Sequence, residues 1–274
     1  MATNASADTA ASCKAQLAQL RQAKPLVHNI TNMVVTNLSA NGLLAVGAAP
    51  LMAHAPEELA EIARLSNALV LNMGTLDASQ MASMRAAQGQ YRELGKPIVF
   101  DPVGAGASRL RTEFARELLA VGVTVLKGNA AEILALSGAK IESRGVDSDD
   151  ALSSVGDNVV AAAKSLSAQY NCCVAVSGVA DLVVQSGRQY MLRNGVDMLQ
   201  RITGSGCLLS ALIGAFVGAG ADACSACVAA ISLYCIAAES AAASSKGPGS
   251  FQVALMDEIA SFRPEDYEKM RCCE

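Results

Sequence analysis

The chain has 274 residues, of which 52% are hydrophobic, 4% aromatic and 17% charged, with a net charge of −4 and no tryptophan. High hydrophobicity with little charge excludes an intrinsically disordered chain, and an acidic balance with few stacking platforms excludes a basic nucleic-acid binder. A chain of this length buries roughly 73% of its unfolded surface, so it needs no disulfide or metal staples, and a mean hydropathy of +0.32 leaves a compact globule or a membrane protein.

The first dozen residues, MATNASADTAAS, hold no basic residue and no apolar run. That fits neither a secretory signal nor a transit peptide, and residues 1–12 are expected to be disordered. The pattern then predicts helix 12–22, strand 25–30, helix 33–44, strand 46–52, helix 56–65, strand 68–73, helix 78–94, strand 97–102, helix 111–120, strand 123–128 and helix 130–137. After a polar loop at 138–150, rich in Glu142, Arg144, Asp147, Asp149 and Asp150, comes a helix over 151–169. Strands 172–178, 181–186 and 188–194 are joined by short turns and read as antiparallel edges of the same sheet. Helices 206–219, 222–245 and 250–262 follow, and 264–274 reads as a polar tail. Pro56-Glu57-Glu58 suits a first helical turn, Asp77 an N-cap, and Gly95 the position after a helix end.

Most of the strands are near-continuous apolar runs, as in parallel sheets buried on both faces. Alternation with helices implies an α/β sandwich with right-handed crossovers. No linker divides the chain, so a single domain over 1–274 is expected.

Nine scattered cysteines without scaffold spacing read as reduced thiols in a cytoplasmic protein. Cys224 and Cys227 form a CxxC, but no second CxxC follows and the flanks are Ala-rich, which favours core-facing thiols over a zinc or redox site. The terminal Cys272 and Cys273 read as part of the solvated tail. The apolar stretch 207–238 is cut by Asp222 into runs too short to span a bilayer, and reads as a buried helix pair.

In parallel α/β sheets, ligands bind beyond the carboxyl ends of the strands. Four such ends carry chemistry. Gly204-Ser205-Gly206-Cys207 opens a helix, where consecutive N–H groups suit an anion and a thiol pKa falls; the plainer reading is a glycine turn with a buried cysteine. Asp101, before Pro102 and two glycines, suits a magnesium-linked carboxylate or a loop cap. Lys127-Gly128-Asn129 with Glu132 offers a cation for phosphate and an acid near magnesium, or simply a capping box. The strand at 25–30 runs on to Asn32, and the one at 46–52 ends at Met52, so together they can wall a small organic pocket. His28 beside them is either a ligand or a satisfied core residue. There is no GK[ST] loop and no complete GxGxxG. This inventory suits phosphoryl transfer without a P-loop, where positioning and charge neutralisation dominate.

The segments PLVHNITN, NGLLAVGAAPLM, ALVLNMGTL, DPVGAGAS, LKGNAAEI and ITGSGCLLSALIGAF, over about residues 14–262, occur in the order of the hydroxyethylthiazole kinase family, which the chain resembles. The resemblance implies a ribokinase-like three-layer α/β/α sandwich with a central, mainly parallel sheet. It implies ATP-dependent, Mg²⁺-requiring phosphorylation of 4-methyl-5-(2-hydroxyethyl)thiazole in thiamine salvage, by a homotrimer with active sites where subunits meet. By the same resemblance Gly204, Ser205 and Gly206 form the anion hole and Cys207 stands at the catalytic position. Met52, Gly204 and Asn32 face the thiazole, Lys127 and Ser177 the nucleotide, and Asp101 and Glu132 the metal. Lys127 stands where many members carry Arg, Ser177 where Thr is common, and Ser205 where Ala is common. A kinase of another heteroaromatic alcohol, of the hydroxymethylpyrimidine or pyridoxal type, is the alternative. A membrane or nucleic-acid partner is not expected.

Overall fold

Strands β1 (Leu26–Ile30), β2 (Ala49–Leu51), β3 (Ala68–Asn72), β4 (Ile98–Asp101), β5 (Val125–Asn129), β6 (Cys173–Ser177), β7 (Asp181–Gln185), β8 (Arg188–Leu192) and β9 (Cys272–Cys273) form one sheet in the order β2-β1-β3-β4-β5-β6-β7-β8-β9. They belong to a computed structural model that describes residues 7–138 and 156–273. The acidic residues read in the loop at 138–150, the first residues of the helix expected over 151–169 and residues 1–6 lie outside those described. Pairing is parallel from β2 through β6, and antiparallel from β6 through β9.

Strand alternation sends residues to two cores. In β3, Leu69 and Leu71 face one core while Ala68 and Val70 face the other. Helices α1 (Ala7–Ala23), α2 (Thr36–Val46), α8 (Ser205–Gly218), α9 (Ala223–Ser244) and α10 (Pro248–Ser261) cover the Val70 face. Helices α3 (Leu59–Leu65), α4 (Ala78–Glu93), α5 (Arg109–Val121), α6 (Ala130–Ser137) and α7 (Asp157–Tyr170) cover the Leu69 face. The split follows from handedness. The chain steps one way from β1 to β2, and the other way from β3 to β6. Right-handed crossovers in opposite directions place their helices on opposite faces. The direction reverses between β1 and β3, and ligands bind at such a switch point.

Helix α8 is apolar apart from Ser205 and Ser210 and lies across the sheet on small residues. A Cβ at Gly214 would stand 2.6 Å from Val70 Cγ2 and 3.1 Å from Val27 Cγ1. Gly214→Ala is therefore expected to destabilise the protein by about 1–3 kcal/mol through overpacking. Denaturant unfolding would show it, and an unchanged midpoint would contradict the close approach of helix and sheet.

Helix α9 has the length and hydropathy of a membrane span, yet 78% of its apolar window is buried inside the protein. Cys224 and Cys227 point into that core, Cys227 lying 3.8 Å from Cys173 Sγ. Among the described residues no group of three or more His, Cys, Asp or Glu side chains is arranged to hold a metal.

Several boundaries differ from expectation. Residues 7–12, expected to be disordered, belong to α1, because Cys13, Leu17 and Leu20 seal one edge of the core. The predicted polar tail is structured: a 3₁₀ turn at Pro264–Lys269 buries Tyr267, whose hydroxyl donates to the Ala229 carbonyl at 3.1 Å. Cys272 and Cys273 are not solvated but pair with β8 as the sheet edge, with Met270 and Cys272 buried. The helix expected from Pro56 starts at Leu59, after a turn. Asp77 caps α4 as expected, accepting from Gln80 N at 2.7 Å.

Candidate active site

The carboxyl ends of β1, β3, β4 and β5 meet the N-terminus of α8. Gly204 precedes that helix at φ +81°, a left-handed conformation, and a Cβ there would lie 2.3 Å from Val35 Cγ1. Glycine is required on both counts. No side chain caps α8, so its first-turn N–H groups are left for a ligand. The loop is pinned through its carbonyls: Tyr234 Oη donates to Ser205 O at 3.0 Å, and Lys127 Nζ donates to Gly206 O at 3.0 Å.

Lys127 and Asp101 are both buried, with Nζ 3.9 Å from Oδ2. That oxygen also accepts from Ser210 Oγ at 2.6 Å and Asn72 Nδ2 at 2.9 Å. Burial pushes the Asp101 carboxyl above the usual range, against the pull of Lys127, Ser210 and Asn72. Glu132 accepts from Asn129 N at 2.8 Å through Oε2 and from Gly104 N at 2.9 Å through Oε1. Asn129 Oδ1 accepts from Glu132 N at 2.9 Å, so the expected capping box is present. Glu132 thus closes the cap and ties the Asp101 loop to it. Burial, and then the charge of Asp101, push its carboxyl up.

Cys207 is half-buried, and Asn32 Nδ2 lies 3.6 Å from its sulfur. The expected fall in thiol pKa at a helix start does not occur. Burial pushes this thiol up, and the charge of Asp101 adds to that, outweighing the Asn72 and Asn32 amides and Lys127. The group is a thiol, not a ready base.

Beside the anion loop is a cleft of about 580 Å³ lined by Ser177, Gly178, Asn129, Asp181, Ser205 and Gly206 among others. Ser177 stands opposite Asn129 in the β5–β6 register and lines this cleft, its hydroxyl 3.5 Å from the Gly128 carbonyl. Asp181 accepts from Gly178 N at 3.1 Å and closes that turn; burial pushes it up to about 6. Met52 follows β2 directly. It lines a separate hollow of about 260 Å³ with Asn29, Thr31, Met33 and Thr36, next to exposed Met33 and Val34. His28 is buried, its Nε2 at 2.8 Å from Ala53 O and its Nδ1 at 3.2 Å from Tyr91 Oη, and is a satisfied core residue.

The structure therefore brings Gly204, Ser205, Gly206, Cys207, Asn32, Asp101, Lys127, Glu132 and Ser177 to one crevice, and Met52 lines the hollow beside Thr31 and Met33. Sequence reasoning missed Asn72, Ser210, Asp181 and Tyr234. The signal for Asn72 was a polar residue ending a fully buried strand, in register with Asp101.

The family model described as "Hydroxyethylthiazole kinase family" matches residues 17–265. A hydroxyethylthiazole kinase of Pyrococcus furiosus is 45% identical over 255 residues, 93% of this chain and 95% of that one. The solved structure of the hydroxyethylthiazole kinase protein of Pyrococcus horikoshii aligns with TM-score 0.87 at 42% identity, covering 96% of this chain and 99% of that one. A ribokinase-like superfamily protein from Enterococcus faecalis shares the fold, at TM-score 0.65 and 13% identity, over 92% of this chain and 89% of its own. The expected ribokinase-like architecture is thus the one observed, and the motifs lie in order across the matched span: the chain belongs to the hydroxyethylthiazole kinase family.

Proposed function

We propose that the protein transfers the γ-phosphoryl group of ATP to the hydroxyl of 4-methyl-5-(2-hydroxyethyl)thiazole, a step of thiamine salvage in the cytoplasm. The observation that carries this reading is the convergence of an uncapped helix start, a buried lysine and a buried carboxylate at one strand-end crevice. The nucleotide occupies the cleft between Ser177 and Ser205, with its phosphates toward Gly204–Gly206. There the backbone N–H groups and Lys127 take up the charge of a loose transition state. Cys207, held as a thiol, orients the alcohol and does not remove its proton, which passes to an oxygen of the transferring phosphoryl group as the new O–P bond forms and the bond to ADP breaks. The catalytic set is therefore Cys207 with the anion loop, and the loop contributes more to the rate.

The donor set fits a magnesium ion of the usual kind, bound by one or two carboxylates and otherwise by phosphate and water. Asp101 Oδ1 receives no hydrogen bond among the described residues, and Glu132 keeps one lone pair on each oxygen; these two would hold the ion. When bound, it neutralises charge on the bridging phosphate oxygens.

The reading extends to a homotrimer with sites at subunit interfaces. The exposure of Met33 (78%) and Val34 (59%) near the hollow that Met52 lines supports a thiazole site completed by a second subunit.

An assay with ATP and Mg²⁺ on hydroxyethylthiazole, hydroxymethylpyrimidine and pyridoxal tests the substrate. Phosphorylated thiazole alcohol is expected with the highest kcat/KM of the three. No such product at millimolar substrate rejects the assignment. Sedimentation at assay concentration tests the trimer, and a stable monomer rejects it.

A further inference from the structure

Two buried amides lie between Asp101 and Cys207; their oxygens close local turns, and their nitrogens are turned toward the site. Asn72 ends β3 and is 1% exposed; Asn32 follows β1 and is 3% exposed. Their orientations are unambiguous. A backbone N–H can only donate, and Gly74 N reaches Asn72 Oδ1 at 3.0 Å, so that atom is oxygen. The same logic applies to Asn32, whose Oδ1 accepts from Val34 N at 3.1 Å. The Asn72 amide nitrogen therefore faces Asp101 Oδ2, at 2.9 Å. The Asn32 amide nitrogen faces Asn72 Oδ1, at 2.7 Å, with its second hydrogen toward Cys207 Sγ, at 3.6 Å. The chain runs in one direction: Cys207 sulfur accepts, Asn32 donates, Asn72 accepts and donates, Asp101 accepts; the Asn72 amide also acts directly on the Cys207 thiol, in the same sense as Asn32. Gly74 makes room for it, since a Cβ there would stand 2.5 Å from Asn32 Nδ2.

We propose that Asn72 is a positioning residue, which locks Asn32 as the hydrogen-bond donor to Cys207 and so leaves the Cys207 S–H free to point at the substrate hydroxyl. The thiol then donates to the alcohol oxygen and holds it for in-line attack, and the metal-side carboxylate and the alcohol-side thiol are kept in fixed register. This deepens the kinase reading and rests on it for the identity of the alcohol.

The test compares wild type with Asn72→Ala and Asn32→Ala. In both variants kcat is expected to fall about tenfold or more, with the KM for ATP changing less than about twofold. Alkylation of Cys207 by iodoacetamide at one fixed pH, read by mass spectrometry of its peptide, is expected to slow about threefold, because the donor that favours the thiolate is lost. A merely loosened structure would expose the thiol and speed alkylation. Alkylation that is unchanged or faster in both variants overturns the proposal, as does a rise in ATP KM with kcat retained. Should Asn72→Ala fail to fold, Asn72→Ser decides, since its small polar side chain cannot span from Asp101 to Asn32, and the same two readouts apply. The alkylation arm needs no substrate. A wild type inactive on the thiazole alcohol would reject the substrate assignment and leave this arm to judge the amide chain by itself.

Discussion

Asp101→Asn is expected to lower kcat by roughly 10²–10³, the range seen when one preorganised electrostatic group is removed from a site. The loss has three sources. Lys127 keeps its burial but loses the carboxylate 3.9 Å away. Ser210 and Asn72 donate to an oxygen that no longer carries charge. The opposite oxygen, the one that receives no hydrogen bond among the described residues and would face a metal, becomes either a neutral carbonyl or an amide nitrogen. The pH profile carries a separate signature. Burial raises the Asp101 carboxyl, so the wild type loses its ionised form as pH falls, at a pH above that of an ordinary aspartate. The activity limb from this group lies on the acidic side and is absent from the variant. A variant within tenfold of wild type, or one keeping the same acidic limb, would remove Asp101 from the mechanism.

Gly204→Ala is expected to cost stability as well as activity. Alanine in the left-handed region costs about 1–2 kcal/mol. Its Cβ would also overlap Val35 Cγ1 at 2.3 Å and crowd Leu38 Cδ2 at 3.3 Å, for about 1–3 kcal/mol of overpacking. Together these lower Tm by on the order of 5–15 °C. Val35→Ala in the same chain relieves the overlap but not the backbone strain, and is expected to restore about half of the loss. A Tm within 2 °C of wild type, on a scale of about 2–4 °C per kcal/mol, would show that the loop conformation is wrong.

Much of the site was legible because strand ends are legible. Asp101, Lys127 and the Gly204–Cys207 turn each follow an apolar run that reads as a buried strand or precede one that reads as a helix. A polar group at such a boundary lies in the crevice by construction. Asn72 was hidden inside the run ALVLNM, where its polarity was overruled by its neighbours. Ser210 was hidden because one hydroxyl on an Ala-rich helix is indistinguishable from small-residue packing until the helix is docked. The shift of the Cys207 thiol could not be read from local sequence. It is set by burial and by Asp101, which lies more than a hundred residues away in the chain. The final segment was misread because Tyr267, Met270 and Cys272 follow neither a period of 3.6 nor one of 2. Their slots are created by α1, α9 and β8.

The buried course of α9 also bears on synthesis. Until it is covered, a segment of 22 residues with the hydropathy of a membrane span is open to membrane insertion or to aggregation. Strands β1 to β8 and helix α8 all precede it in the chain. When residues 223–244 leave the ribosome, the strands and α8 that cover one side of them have already been made, while α10 and the segment through Tyr267, which cover another side, are still to come. Chain order thus shields one side of the most hazardous segment as it emerges and leaves another open until α10 is complete, for roughly one to three seconds at a synthesis rate of about 5–20 residues per second.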